Sequence, residues 1–148
     1  MVVELKEITT ENWEACIHLE PAESQKTYVA SNLYSLAESK FFPSYIPLAV
    51  YTGQEMAGFV MYGIDPDDQN YWIYRLMIDQ KHQRKGYGKA AILEVIERIK
   101  RNPVSRVIMI GFHPDNHAAE QLYSRVGFCI GEKAPWGERL GRYHLTID

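Results

Sequence analysis

Tyr71-Trp-Ile-Tyr-Arg-Leu-Met-Ile78, then Asp79-Gln-Lys-His-Gln-Arg-Lys-Gly-Tyr-Gly88, then Lys89-Ala-Ala-Ile-Leu-Glu-Val-Ile-Glu-Arg-Ile-Lys-Arg101, is the stretch on which the reading of this chain turns. The first segment is aromatic and β-branched enough to predict a strand buried on most of its surface. The second is polar and glycine-bearing. The third repeats apolar residues at Ala91, Ile92, Val95, Ile96 and Ile99, the spacing of one helix face. Asn102-Pro103 stops that helix and Arg106 to Phe112 supplies another strand. Strand, loop, helix and strand form a βαβ unit, which predicts a parallel strand pair.

Downstream, Asn116 can cap a helix over Ala118 to Val126, with Leu122 and Val126 spaced for burial and Gly127 at its C-terminal end. Phe128 to Lys133 and Gly141 to Ile147 read as closing strands. Upstream, Val2 to Ile8 reads as a strand, and Thr9 to Asn12 offer caps for a helix carrying Trp13, Cys16, Ile17 and Leu19, ended by Pro21. A second helix is expected over Ala22 to Ser39, with Tyr28, Val29, Leu33, Leu36 and Ala37 on its apolar face. Pro43 and Pro47 then break the chain. Leu48 to Tyr51 and Met56 to Tyr62 read as a hairpin around Thr52-Gly-Gln-Glu55, followed by the acidic loop Asp65 to Asn70. The predicted order is β-α-α-β-β-β-α-β-α-β-β: an α/β (α+β) domain over residues 1–148, with a mixed, mostly antiparallel sheet flanked by helices.

Composition agrees with a single folded domain. The 148 residues are 46% apolar and 24% charged, with no repeat, low-complexity run or linker. No stretch approaches the roughly 18 apolar residues of a membrane helix, and the acidic N-terminal residues are unlike a secretory leader, so a cytoplasmic protein with no membrane partner is expected. Cys16 and Cys129 form no CxxC and are expected to be small buried hydrophobes. The net charge of −3 hides an asymmetry: residues 1–74 hold 11 Asp and Glu against 3 Lys and Arg, residues 75–148 hold 8 against 13. Ordinary solvated surface accounts for such a split; so does a cationic ligand near the first half and an anionic one near the second. Overall acidity argues against nucleic acid as a partner.

Gln83-Arg84-Lys85-Gly86-Tyr87-Gly88 carries the strongest chemical signal. Gly86 and Gly88 allow a ligand close to the backbone, the free N–H groups of a helix start face an anion, and Lys81, Arg84, Lys85 and Lys89 add positive charge. Taken alone, the segment also fits a plain βα turn with a solvated basic surface. It is neither a Walker A loop nor a GxGxxG fingerprint. His113 and His117 lie four apart, but Pro114 interrupts a shared helical face and no third ligand is near, so no metal is expected.

The loop resembles the signature of the GNAT superfamily of N-acetyltransferases, Gln/Arg-x-x-Gly-x-Gly/Ala after a central strand, with Gln83, Gly86 and Gly88 at the fixed positions. The element order is similar over nearly the whole chain. The resemblance implies acetyl-CoA as donor: the backbone of Leu76, Met77 and Ile78 along the pantetheine arm, and Gln83, Arg84, Lys85, Gly86, Tyr87, Gly88 and Lys89 at the pyrophosphate. Asn116 to Phe128 looks like a second GNAT signature, which implies that Asn116 contacts CoA and that Tyr123 stands beside its sulfur. A phenol is protonated at pH 7 and can give a proton to a departing thiol, so Tyr123 is the expected general acid. An N–H of the Leu76 to Ile78 segment is the expected oxyanion donor.

For the acceptor, Glu20 and Glu23 are candidate carboxylates, and Trp72 and Tyr74 candidate aromatic faces for a cation. The chain is also similar to bacterial spermine/spermidine acetyltransferases of the GNAT type, notably in Asn32-Leu-Tyr-Ser-Leu-Ala37 and the aromatic strand before the loop. That implies a polycationic small-molecule amine as acceptor. Another amine (an aminoglycoside, an amino acid or a protein N-terminus) and a non-catalytic CoA-binding sensor stay open. Trp136 fits packing within a closing hairpin or a contact in a homodimer, which is common in the family.

Overall fold

The computed structural model describes residues 2–146. Strand β1 (Glu4–Glu7) leads to helix α1 (Trp13–His18), a 3-10 turn over Glu23–Gln25, and helix α2 (Asn32–Phe41). Strands β2 (Tyr45–Thr52), β3 (Glu55–Ile64) and β4 (Tyr71–Ile78) follow, then α3 (Tyr87–Arg101), β5 (Val107–Phe112), α4 (His117–Val126), β6 (Cys129–Lys133) and β7 (Arg139–His144). The order is the predicted one. The seven strands form one sheet, β1-β2-β3-β4-β5-β7-β6, antiparallel at every pair except β4 and β5. Among the described residues no helix is long and apolar enough to cross a membrane.

Helices cover the two faces separately. The predicted stripe Ala91, Ile92, Val95, Ile96 and Ile99 is the buried face of α3 and packs with Val60, Ile73, Ile108, Ile110 and, from α4, Tyr123. Burial stabilises each such isoleucine by about 1.5–3 kcal/mol. On the other face, Cys16 of α1 and the partly buried Leu36 of α2 meet Phe59, Met61 and Met77.

Four expectations need correction. The second helix does not begin at Ala22: the chain from Ala22 to Ser31 holds only a 3-10 turn, and α2 starts where the Ser31 side chain accepts the N–H of Tyr34. Its buried residues are Asn32 and Ser35, while Leu33 and Ala37 are exposed. Asn32 replaces an apolar contact because its Nδ2 reaches the Cys16 carbonyl at 2.9 Å. Pro47 does not break the chain but lies within β2. The pairing of β1 ends at Glu7 opposite Leu48, so Pro47 faces a free edge and its missing N–H costs no ladder bond. Cys129 is exposed rather than buried. The last strand ends at His144 rather than Ile147; Ile147 lies outside the described residues.

Candidate active site

Strand β4 keeps β3 along its length but loses its other partner part-way along. Its parallel pairing with β5 consists of Tyr71 with Ile108, Trp72 with Met109 and Ile73 with Ile110, and stops there. At the same place it bulges against β3: Met61 pairs with Arg75 and Tyr62 with Ile73, leaving Tyr74 unmatched. An extra residue bends a strand and reverses which face its later side chains take. Ile73 and Leu76 accordingly pack on the α3 side, Tyr74 and Met77 on the α1 and α2 side. Beyond the bulge the two strands diverge around a cleft of about 800 Å³, with Leu76, Met77 and Ile78 on one wall and Gly111 and Phe112 on the other.

The polar loop closes one end of the cleft. Asp79, 8% exposed, accepts the N–H groups of Lys81 and Glu20, and the Gln83 side chain donates to the Ile78 carbonyl at 2.6 Å. Arg84 and Gly86 then take left-handed backbone angles, φ 62° and 84°, and α3 begins at Tyr87. None of the N–H groups from Gln83 to Lys89 meets an acceptor among the described residues, and the first turn of α3 holds no acidic side chain. A run of free N–H groups with the positive end of a 15-residue helix behind it favours an anion. Gln83, Arg84, Gly86, Tyr87, Gly88 and Lys89 all line the cleft; Lys85 is exposed and does not.

Helix α4 supplies the facing side. Asn116 caps it, its Oδ1 accepting the Ala119 N–H at 3.2 Å. Asn116 is 5% exposed and its amide also pairs with that of Gln25, from the segment that lies over the cleft between α1 and α2. Two turns along, Tyr123 packs between Phe112 and Phe128, at 5.7 and 6.0 Å between ring centres. It lines the cleft, and no described residue bonds to its hydroxyl. Burial, and next the Glu138 carboxylate, push that hydroxyl well above the ordinary phenol range. The α4 segment ends with Gly127 at φ 124°, its N–H and that of Phe128 both bonded to the Tyr123 carbonyl.

The acceptor candidates are dispersed. Glu20 and Glu23 both point to Lys26, at 3.6 and 3.1 Å, and neither lines the cleft. Tyr74 does; it stacks on Tyr45 at 4.2 Å, and its hydroxyl donates to Asp65 at 2.8 Å. Trp72 lies on a second cavity, of about 340 Å³, with Asp65, Asp67, Asp68 and Trp136. Tyr74, Arg75, Gly111 and Glu138 line both spaces. Trp136, 62% exposed, sits 6.3 Å from Trp72 and donates to Glu138. Sequence reading missed Gln25, Arg75, the three loop aspartates as cavity wall, and Glu138. The loop aspartates had a signal, the acidic run itself; a lone glutamate in a turn had none.

The sequence model of the Acetyltransferase (GNAT) family matches residues 4–128. This chain belongs to that family. It is an acetyltransferase, and 30% of its residues over 147 positions are identical to the spermine/spermidine N(1)-acetyltransferase of Bacillus subtilis, covering 95% of this chain and 97% of that one. Among solved structures, an acetyltransferase from Thermus thermophilus superposes with a TM-score of 0.78 at 17% identity, over 98% of each chain. The PaiA N-acetyltransferase of Thermoplasma acidophilum, solved with coenzyme A, superposes with a TM-score of 0.73 at 17% identity, over 97% of this acetyltransferase and 99% of that chain. At such identities the structural likeness speaks to the fold.

Proposed function

We propose that this acetyltransferase moves an acetyl group from acetyl-CoA to a primary amine of a polycation such as spermine or spermidine. The observation that carries the donor half is the run of N–H groups from Gln83 to Lys89 at one end of the cleft, unfilled among the described residues, with Tyr123 on its wall and a hydroxyl that no described residue bonds. The residues present fit acetyl-CoA: Gln83, Arg84, Gly86, Tyr87, Gly88 and Lys89 would hold the pyrophosphate, Lys85 adding charge from outside. The edge of β4 from Leu76 to Ile78 that β5 no longer pairs would receive the pantetheine amides. Acetyl-CoA supplies an activated acetyl group as a thioester. An N–H of that β4 edge would polarise the acyl oxygen, and Tyr123, held protonated by its burial, would give its proton to sulfur.

The acceptor half rests on two supports. The Bacillus subtilis relative bears the name of a spermine/spermidine acetyltransferase, and the second cavity, contiguous with the cleft, combines three aspartates with the rings of Trp72 and Trp136. Carboxylates and indole faces both attract alkylammonium groups. The test is thiol release from acetyl-CoA against a panel of spermine, spermidine, putrescine, an aminoglycoside and an N-terminal peptide. The polyamines should give the highest kcat/KM; turnover confined to the peptide or the aminoglycoside would remove the polyamine reading and leave the donor half standing.

A further inference from the structure

Direct transfer to an amine needs a group that takes the ammonium proton, and neither Glu20 nor Glu23 lines the cleft. One other carboxylate is better placed. Glu138, in the turn between β6 and β7, is half-buried and lines both the donor cleft and the second cavity. Its Oε1 accepts the Trp136 indole N–H at 2.7 Å, which fixes the carboxylate; its Oε2 has no partner among the described residues. It lies against Gly111, where a Cβ would come within 2.9 Å of Oε1, so the glycine makes the room. Gly111 is the first residue of β5 beyond the pairing with β4, the point where the sheet opens.

We propose that Glu138 is a catalytic residue of this acetyltransferase, the carboxylate that receives the acceptor's ammonium proton at the junction of the two cavities. The proposal rests on the amine-acetylation reading above. The acceptor arrives as R–NH3+ and passes one proton to Oε2. The neutral nitrogen forms the C–N bond to the acyl carbon as the C–S bond breaks, sulfur leaving with the Tyr123 proton. The second nitrogen proton restores Tyr123, and Glu138 returns its own to solvent, so one proton is released per turnover. The charged and titratable groups that line the second cavity with Glu138 are Tyr74 and Arg75 from β4 and Asp65, Asp67 and Asp68 from the loop before it; the donor cleft adds Tyr28, His82, Arg84, Tyr87, Lys89, Arg125 and Tyr123, whose hydroxyl Glu138 influences. Arg75 is engaged by Glu38 at 3.1 Å, and Arg139, next in the chain, turns to Glu120 at 3.3 Å. Neither cation is paired to Glu138.

The experiment is a pH series of kcat and kcat/KM for the amine that wild type uses best, on wild type and Glu138→Gln. At pH 7.5 the variant should lose about 100-fold in kcat, with acetyl-CoA Kd unchanged. The loss should shrink as pH approaches about 10, where an alkylammonium sheds its own proton. Trp136→Phe, which frees the carboxylate without removing it, should give a smaller loss of the same pH form and covers the case in which Glu138→Gln fails to fold. Activity of Glu138→Gln within twofold of wild type, or a loss flat across the pH series, overturns the proposal while leaving amine acetylation intact. Wild type that releases no thiol with any amine overturns both.

Discussion

The side-chain amides of Gln25 and Asn116 face each other head to tail: Gln25 Nε2 donates to Asn116 Oδ1 at 3.2 Å, and Asn116 Nδ2 donates to Gln25 Oε1 at 3.0 Å. The segment between α1 and α2 is thereby tied to the start of α4 across the cleft. Asn116→Ala removes this pair together with the cap on Ala119, and should cost about 1–2 kcal/mol. Gln25→Ala should cost about 0.5–1.5 kcal/mol. In urea denaturation the double variant should fall short of the sum by roughly 0.5–1 kcal/mol; strict additivity would mean that the two amides do not interact in solution.

Tyr123→Phe keeps the packing against Phe112 and Phe128 and deletes the proton. A drop of about 10²-fold or more in kcat is expected, with acetyl-CoA affinity within twofold in calorimetry. Burial raises the phenol, so the acid form persists throughout the ordinary pH range. The wild-type kcat profile should therefore show no fall between pH 8 and 10 that Tyr123→Phe abolishes. Wild-type turnover by the variant would remove Tyr123 as general acid.

Gly58 of β3 and Gly88 at the cleft should respond differently to alanine. At Gly58, paired with Ile78, a Cβ would overlap the Met77 carbonyl oxygen, a backbone atom with little freedom to move. Gly58→Ala should destabilise by about 1–3 kcal/mol, read as a lower urea midpoint. At Gly88 the nearest atom to a Cβ is a Leu122 methyl at 3.5 Å, an ordinary contact, so Gly88→Ala should leave the midpoint close to wild type.

The two cysteines differ in reactivity. Cys16 is fully buried, and desolvation pushes its thiol up to about 11, while Cys129 is exposed. A thiol reagent at pH 8 should label Cys129 within minutes and Cys16 only after denaturant is added. Labelling of both in the folded protein would show that the α1 face opens readily.

If aspartates of the second cavity hold a polycation, acceptor KM should rise as salt is added from about 50 to 500 mM, because screening shortens from beyond 10 Å to a few Å. Asp68→Asn should weaken that slope, although it also takes a charged acceptor from the Trp72 indole N–H at 2.9 Å. A KM flat across the titration would count against the cavity as the acceptor's seat.

Much of this molecule is legible in its residues, because α3 and its flanking strands obey local rules. The stripe from Ala91 to Ile99 has helical period, Gly86 and Asn116 occupy cap positions, and the hairpin at Gly53 is announced by its turn residues. The Ala22 to Ser31 segment failed for the opposite reason. Tyr28 and Val29 are spaced with Leu33 and Leu36 as for one helix face, but they line the cleft wall, so a ligand-binding demand mimics the pattern of a packed helix. Pro47 misled because whether a proline breaks a strand depends on where the neighbouring strand ends. Glu138 was invisible because its meaning comes from Gly111 and Trp136.

The three residue pairs that join β4 to β5 are also the seam of the whole sheet, with β1 to β4 on one side and β5, β7 and β6 on the other. Three pairs, as few as join β6 to β7 at the sheet's edge, hold the middle of the sheet together, and the co-substrate would lie along this line. Its amide-bearing arm, bridging the open part of the seam, would act as a removable rung of the ladder. On that reading the enzyme would be mechanically completed by what it consumes, each turnover unpicking a stitch that the next molecule of donor sews back.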